Sequence, residues 1–322
     1  MFVPEYSITP AILKNISIIE YAKAVIENTS ILPSWENQLK KETKVVFLQS
    51  YLQKSGLRFE QITVKGFLDN MEAKTPMEFF DLLKTFDLVS ELSVKKDFSE
   101  KEVREIAKIL THKSGYRNVK MHGKPNPEEI LANIVQYFDW YQSLDGKETH
   151  PIIQAGITKA FFESLSPFKE FNEIISDFLS LLCMNVGGYE FRNMVCIDSY
   201  LERSKSDYDT ALRKSIETSD LTSWLEYFTE ALSMETANIK EKVKLLARDT
   251  KIAKATGRTK FTPRQERVVE YLQDYGILQN KDFSRVFPDI SEDSILRDLK
   301  VLIQKGVIQK TGSTKSSLYE LA

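Results

Sequence analysis

The run Ser166-Pro167-Phe168-Lys169-Glu170-Phe171-Asn172-Glu173-Ile174-Ile175-Ser176-Asp177 follows a largely apolar segment that opens His150-Pro151-Ile152-Ile153-Gln154-Ala155-Gly156-Ile157. Phe171, Ile174, Ile175, Phe178, Leu179 and Leu182 recur at intervals of three and four, the period of a helix with one buried face. Ser166 before Pro167 has the chemistry of an N-cap followed by a first-turn proline. These features predict one continuous helix from Ser166 to Val186, with Phe171, Ile174, Ile175 and Phe178 turned to the core. A helix over 151–165 precedes it, and His150 ahead of Pro151 marks its start.

Outward from this pair, helical spacing or cap residues mark 11–28, 36–55, 76–92, 99–113, 127–143, 206–217, 220–233 and 235–254. Asn118 to Pro127, with Gly123, Pro125 and Pro127, is a turn-rich loop. Leu245 to Lys260, rich in Lys and Arg and containing Gly257, reads as a helix end and a linker. The fold class is therefore mainly α.

A chain of 322 residues has room for two domains, and its formal net charge of -2 excludes a polybasic binder. No charged-then-apolar leader and no run of eighteen apolar residues is present, so a cytoplasmic protein without a membrane partner is expected. Cys183 and Cys196 are too few for a disulfide framework and lack metal-ligand spacing. Cys183, among apolar neighbours, reads as packing. His112, His122 and His150 are scattered.

Residues 150–168, without a gap, and the run from Ser166 resemble the approach and signature of the Fic (Fido) family, His-Pro-Phe-x-Asp/Glu-Gly-Asn-Gly-Arg-x-x-Arg. Gly115-Tyr116-Arg117 is similar to the end of the family's helix before its substrate flap, and 206–212 and 220–228 to its segment after the motif. The resemblance extends over most of residues 1 to about 250. It implies a helical Fic domain whose motif is degenerate. Ser166 stands where the family's His takes a proton from the target hydroxyl, and a serine does not accept that proton near neutral pH. Pro167, Phe168 and Asn172 are retained, and Asn172 is a vestigial nucleotide-binding position. Glu170 keeps a hard oxygen ligand suited to Mg²⁺. Phe171 and Glu173 replace the glycines that let amides approach phosphates. Ile174 and Asp177 replace both arginines, removing the charge-assisted phosphate contacts. No catalytic residue is thus expected.

Many Fic proteins also carry an inhibitory helix, Ser/Thr-x-x-x-Glu-Gly/Asn, whose Glu pairs with the second motif Arg. Its best local match is Ser50-Tyr51-Leu52-Gln53-Lys54-Ser55, with Lys54 at the Glu position. The resemblance then implies a Lys54–Asp177 pair of reversed polarity; a plain surface lysine is the alternative.

Thr262-Pro263-Arg264-Gln265 opens a helix, Lys281 to Phe287 a short second one, and Ser291 to Leu302 starts a third whose Ile295, Leu296, Leu299 and Leu302 are expected to pack inward. Val307–Lys310 and Ser317–Leu321 read as strands around Gly312-Ser313. This order resembles a winged helix, and Leu296 to Gly306 is similar to the recognition helix of many bacterial regulators. Residues 251–322 carry 13 basic against 9 acidic residues, a net of +4, leaving -6 on the rest. Ser294, Arg297, Lys300, Lys310 and Lys315 are the candidate DNA contacts. Protein docking or homodimerisation is the other use of such a domain.

The expected domains are 1–95, an N-terminal helical part; 96–250, the Fic core; and 251–322, the winged helix. The expected function is regulatory or interaction-based, without a cofactor. The alternative is a divergent Fic-type adenylyltransferase using ATP and Mg²⁺.

Overall fold

His150 caps the helix around which the first part of the chain is built. Its Nδ1 accepts from the Ile152 amide at 3.2 Å, and Pro151 occupies the first turn, where its missing N–H removes no helical hydrogen bond. The computed structural model describes residues 2–70, 75–96, 98–113, 115–255, 261–305, 307–312 and 317–321. Contacts divide the chain into two compact units, residues 1–28 with 43–240, and residues 29–42 with 241–322.

The helices before the motif are α1 (Pro10–Asn28), α2 (Pro33–Lys54), α3 (Gln61–Asn70), α4 (Met77–Lys95), α5 (Glu100–Thr111), α6 (Ile130–Gln142), α7 (Leu144–Glu148) and α8 (Pro151–Leu165). After it come α9 (Asn172–Val186), α10 (Asp198–Arg203), α11 (Lys205–Thr218) and α12 (Thr222–Ala255). The mainly α class holds. The two helices expected over 220–233 and 235–254 are one, because no proline or glycine interrupts α12; it runs through most of the expected linker, and 256–260 lie outside the described residues. The short helices α3, α7 and α10 lack enough turns for a legible period.

In the first unit α8 packs along α9, and α4 and α5 lie against α9. The α8 side chains from Ile152 to Ala160 are buried on every face, so this helix is the centre of the core. A Cβ on Gly156 would stand 2.7 Å from Leu225 Cδ2, and the Gly156 carbonyl accepts from Trp224 Nε1 at 2.8 Å. The glycine thus lets α12 approach α8. Burying an aromatic or aliphatic side chain of this size contributes about 1.5–3 kcal/mol, which explains why the core dictates the helix arrangement.

One predicted helix is corrected. Residues 166–171 form a loop and α9 begins at Asn172. Ser166 is the C-cap of α8, with φ 44 and ψ 64, and its Oγ donates to the Glu163 carbonyl at 2.8 Å. A residue before proline is disfavoured in the α region, so Pro167 ends a helix here instead of starting one. Phe171, at φ 60, is half-buried outside the helix, whereas Ile174, Ile175 and Phe178 are buried.

In the second unit Thr262 and Gln265 form a capping box that opens α13 (Pro263–Tyr275). β1 (Ile277–Gln279), α14 (Phe283–Val286), α15 (Glu292–Gln304), β2 (Ile308–Thr311) and β3 (Leu318–Leu321) follow. The sheet is antiparallel in the order β1-β3-β2, with Leu278 opposite Tyr319 and Ile308 opposite Leu321. β1, three residues long after Gly276, was too short to show alternation. Val268, Leu272, Leu278, Phe283, Ile295, Leu299, Leu302 and Tyr319 share one core. Leu296, expected inside, is 37% exposed; Asp298 faces inward in its stead, bonded by Arg264 and by Gln265 Nε2 at 3.0 Å.

Candidate functional site

The loop between α8 and α9 is held from both sides. Asn172 Oδ1 accepts from the Phe168 amide at 2.9 Å, and its Nδ2 donates to the Phe168 carbonyl at 2.8 Å. Arg117, 2% exposed, donates to the carbonyls of Ser166 at 2.8 Å, Val119 at 3.0 Å and Pro125 at 2.6 Å, while its own amide donates to Pro167 at 2.9 Å. One guanidinium thereby ties the 118–125 loop to the motif, using the planar fork that Arg alone provides.

Below the loop lies a buried charge cluster. Lys54 on α2 stands 2.6 Å from Asp177, 3.2 Å from Asp198 and 3.8 Å from Glu173. Lys159 on α8, with its side chain 1% exposed, binds the other Asp177 oxygen and lies 3.3 Å from Glu163, which also accepts from the Tyr208 hydroxyl. Lys205 reaches Glu173 at 3.4 Å. Burial opposes ionisation of Asp177, but the Lys159 and Lys54 charges outweigh it and hold the carboxyl below its ordinary range. Burial likewise opposes the charge on both lysines, and Asp177 with its neighbours reverses this and raises them. Asp198 goes the other way: burial raises it, and Lys54 only partly compensates.

The remaining candidate residues lie around this cluster or far from it. Glu170 is exposed and pairs with Lys113 at 2.9 Å. Among the described residues no group of three or more His, Cys, Asp or Glu is placed to hold a metal ion. Ile174 is buried, as is Ser50, whose Oγ has no hydrogen-bond partner among the described residues. On α15, Arg297 and Lys300 are exposed and Ser294 is half-buried, its Oγ accepting from Ser291 at 2.9 Å. The Lys310 ammonium lies 5.9 Å over the Tyr319 ring. Lys315 lies outside the described residues.

No protein-family model matches the sequence, and no curated protein is detectably similar to it. Solved structures are. A Fic family protein from Desulfovibrio desulfuricans G20 aligns over 100% of this chain and 98% of its own, with a TM-score of 0.65 and 16% identity. The fold is that of Fic proteins. A Fic domain containing signaling protein from Bacteroides thetaiotaomicron VPI-5482 covers 73% of this chain and 98% of its own, with a TM-score of 0.57 and 17% identity. Fic-1 from C. elegans covers 73% of this chain and 71% of its own, with a TM-score of 0.55 and 12% identity. At these identities it is the Fic fold that is shared.

Within this Fic fold, the roles of Lys159, Arg117 and Asp198 around the motif escaped the sequence reading. Lys159 carried a signal, as the one charged residue within the stretch from Ile152 to Phe162, four residues before Glu163. Arg117 was visible only as part of Gly115-Tyr116-Arg117, and Asp198 had no signal, since its role depends on the return of the chain after α9. No described helix is long and apolar enough to cross a membrane.

Proposed function

We propose that this chain is a Fic-fold protein that has lost AMP transfer and acts as a cytoplasmic regulator, with its C-terminal unit used as a DNA-binding winged helix. The observation that carries the first part is the double occupation of Asp177 by Lys54 and Lys159. In the Fic resemblance this position belongs to an arginine that holds phosphate. Here it is a carboxylate, and the ammonium groups beside it already have carboxylate partners. A polyphosphate entering this place would meet Glu173, Asp177 and Asp198, and would have to break pairs that compensate buried charge. Ser166, capping α8 through Oγ, supplies no base. A Mg²⁺ ion at Glu170 would compete with Lys113.

The second part is supported by the order of α13, β1, α14, α15, β2 and β3, that of a winged helix, and by the exposed Arg297 and Lys300 on α15. In this reading Ser294 and Lys310 flank them, and residues 1–95, 96–250 and 251–322 are the functional divisions.

Calorimetric titration of the full chain with ATP and Mg²⁺, paired with label transfer from ATP, tests the loss of chemistry. No saturable heat and no transfer are expected, and Ser166→His alone restores neither, because Glu173 and Ile174 remain. Saturable binding with label transfer that Glu170→Ala abolishes would instead establish a divergent adenylyltransferase.

A further inference from the structure

Between α8 and the chain that leaves α9 lies a cleft that encloses about 60 Å³, within the first unit. Phe47, Phe86, Phe191, Phe228 and Leu232 give it an apolar wall, while Cys196 and Asp198 stand together on another side. Two independent features mark this cleft as a built site.

The first is its lip. Phe191, Arg192 and Asn193 have φ of 47, 55 and 57, three successive non-glycine residues in the left-handed region. L-residues enter that region singly, at roughly 1–2 kcal/mol each. Such strain collects at ligand clamps and is sustained by the surrounding structure. Here the Asn193 amide donates to Glu190 at 2.8 Å and the Met194 amide to Phe191 at 3.1 Å, and Thr43 Oγ1 donates to the Met194 carbonyl at 3.0 Å. Phe191 and Asn193 from this turn both line the cleft.

The second is Asp198, 4% exposed. Its Oδ1 faces Lys54 at 3.2 Å, but its Oδ2 accepts from the Cys196 thiol at 3.3 Å, a weak donor for a buried carboxylate. The nearby cations are engaged: Lys159 by Asp177 and Glu163, and Lys54 by Asp177, Asp198 and Glu173. Asp198 therefore keeps acceptor capacity beyond its Lys54 and Cys196 bonds, and an anion would find the neighbouring ammonium groups already paired with carboxylates. Aromatic walls add attraction for a cation near their faces.

We propose that this cleft binds a small primary amine carried on an aromatic or branched apolar body, with its ammonium donating to Asp198 and its body against the phenylalanine wall. The ligand supplies the donor that the thiol replaces poorly, and a clamped turn keeps the wall in place. The cleft shares Asp177 and Asp198 with the charge cluster beside the motif, so it is tested with probes that carry no phosphate, whose failure to bind is distinct from the outcome of the ATP titration.

The test uses the full chain and three probes of one shape: phenethylamine, 2-phenylethanol and phenylacetate. Binding is followed by calorimetry and by protein-observed NMR. Phenethylamine is expected to bind at least about tenfold more tightly than the alcohol, the worth of a hydrogen bond to a charged group, and phenylacetate not measurably. Asp198→Asn is expected to erase the preference for the amine. Equal binding of the three probes, no binding of phenethylamine at millimolar concentration, or an amine preference unchanged in Asp198→Asn would overturn the proposal. Should that variant not fold, the probe selectivity of the unmodified chain decides.

Discussion

Lys54 Nζ stands 2.6 Å from Asp177 Oδ2, while Lys159 binds Oδ1 of the same carboxylate. One buried anion thus compensates two buried cations from different helices, α2 and α8, and joins both to α9. Removing the shared partner therefore differs in consequence from removing either lysine.

Asp177→Ala should destabilise the protein by about 3–5 kcal/mol, the range for removing one partner of a buried pair, because the deeply buried Lys159 then keeps only Glu163. Lys54→Met should cost less, because Lys159 still satisfies Asp177. Urea unfolding of both variants at neutral pH measures the order; equal losses, or a loss below about 1 kcal/mol for Asp177→Ala, would show that the cluster contributes little.

The two aspartates of the cluster should act oppositely with pH. The Asp177 carboxyl is held low, so its contribution is present above the unfolded value of about 3.9 and is lost as pH falls toward its folded value. The Asp198 carboxyl is raised by burial, so its contribution is largest below about 3.9 and declines as pH rises through its folded value. Asp198→Asn should remove that decline. Its unfolding free energy, followed upward from about pH 4, should rise more steeply with pH than that of the unmodified protein; a parallel or shallower curve would refute the assignment.

Arg117→Met should destabilise the chain by at least roughly 3 kcal/mol, because several buried carbonyls lose their donor and each such group costs about 1–3 kcal/mol. Arg117→Lys should recover only part, since one ammonium lacks the planar spread to reach Ser166, Val119 and Pro125 together. Amide exchange offers a local readout: protection of the Arg117 amide, bonded to Pro167, should fall in both variants. Unchanged protection would mean that the loop is held by other contacts.

If the C-terminal unit reads DNA, the full chain should shift a duplex of its own promoter in a salt-dependent manner, and Arg297→Ala with Lys300→Ala should weaken binding. Each lost phosphate contact should lower the salt slope by about one. Anisotropy at two salt concentrations checks this. Unaltered binding in the double variant, or none at low salt, would favour protein docking or dimerisation, for which Leu296 offers an exposed apolar group on the same helix.

The mainly α class was determined by sequence alone, because the three-and-four spacing of apolar residues is a local property that survives without knowledge of neighbours. The start of α8 was equally local, since His150 and Pro151 satisfy a helix end by themselves. The break at 166–171 had a local cause too, the proline, but the same residues also match an N-cap; only the carbonyl contacts from Arg117 and the left-handed Ser166 and Phe171 decide between them. The merging of two expected helices into α12 also has a local cause, the absence of proline and glycine between them, whereas the approach of Trp224 and Leu225 to α8 at Gly156 is tertiary. Of the charge cluster, the Lys54–Asp177 pair was implied by the Fic resemblance; the rest belongs to tertiary structure. Lys54, Lys159, Asp177 and Asp198 lie on four helices, and their ionisation depends on burial and on distances of a few ångströms that sequence spacing does not contain.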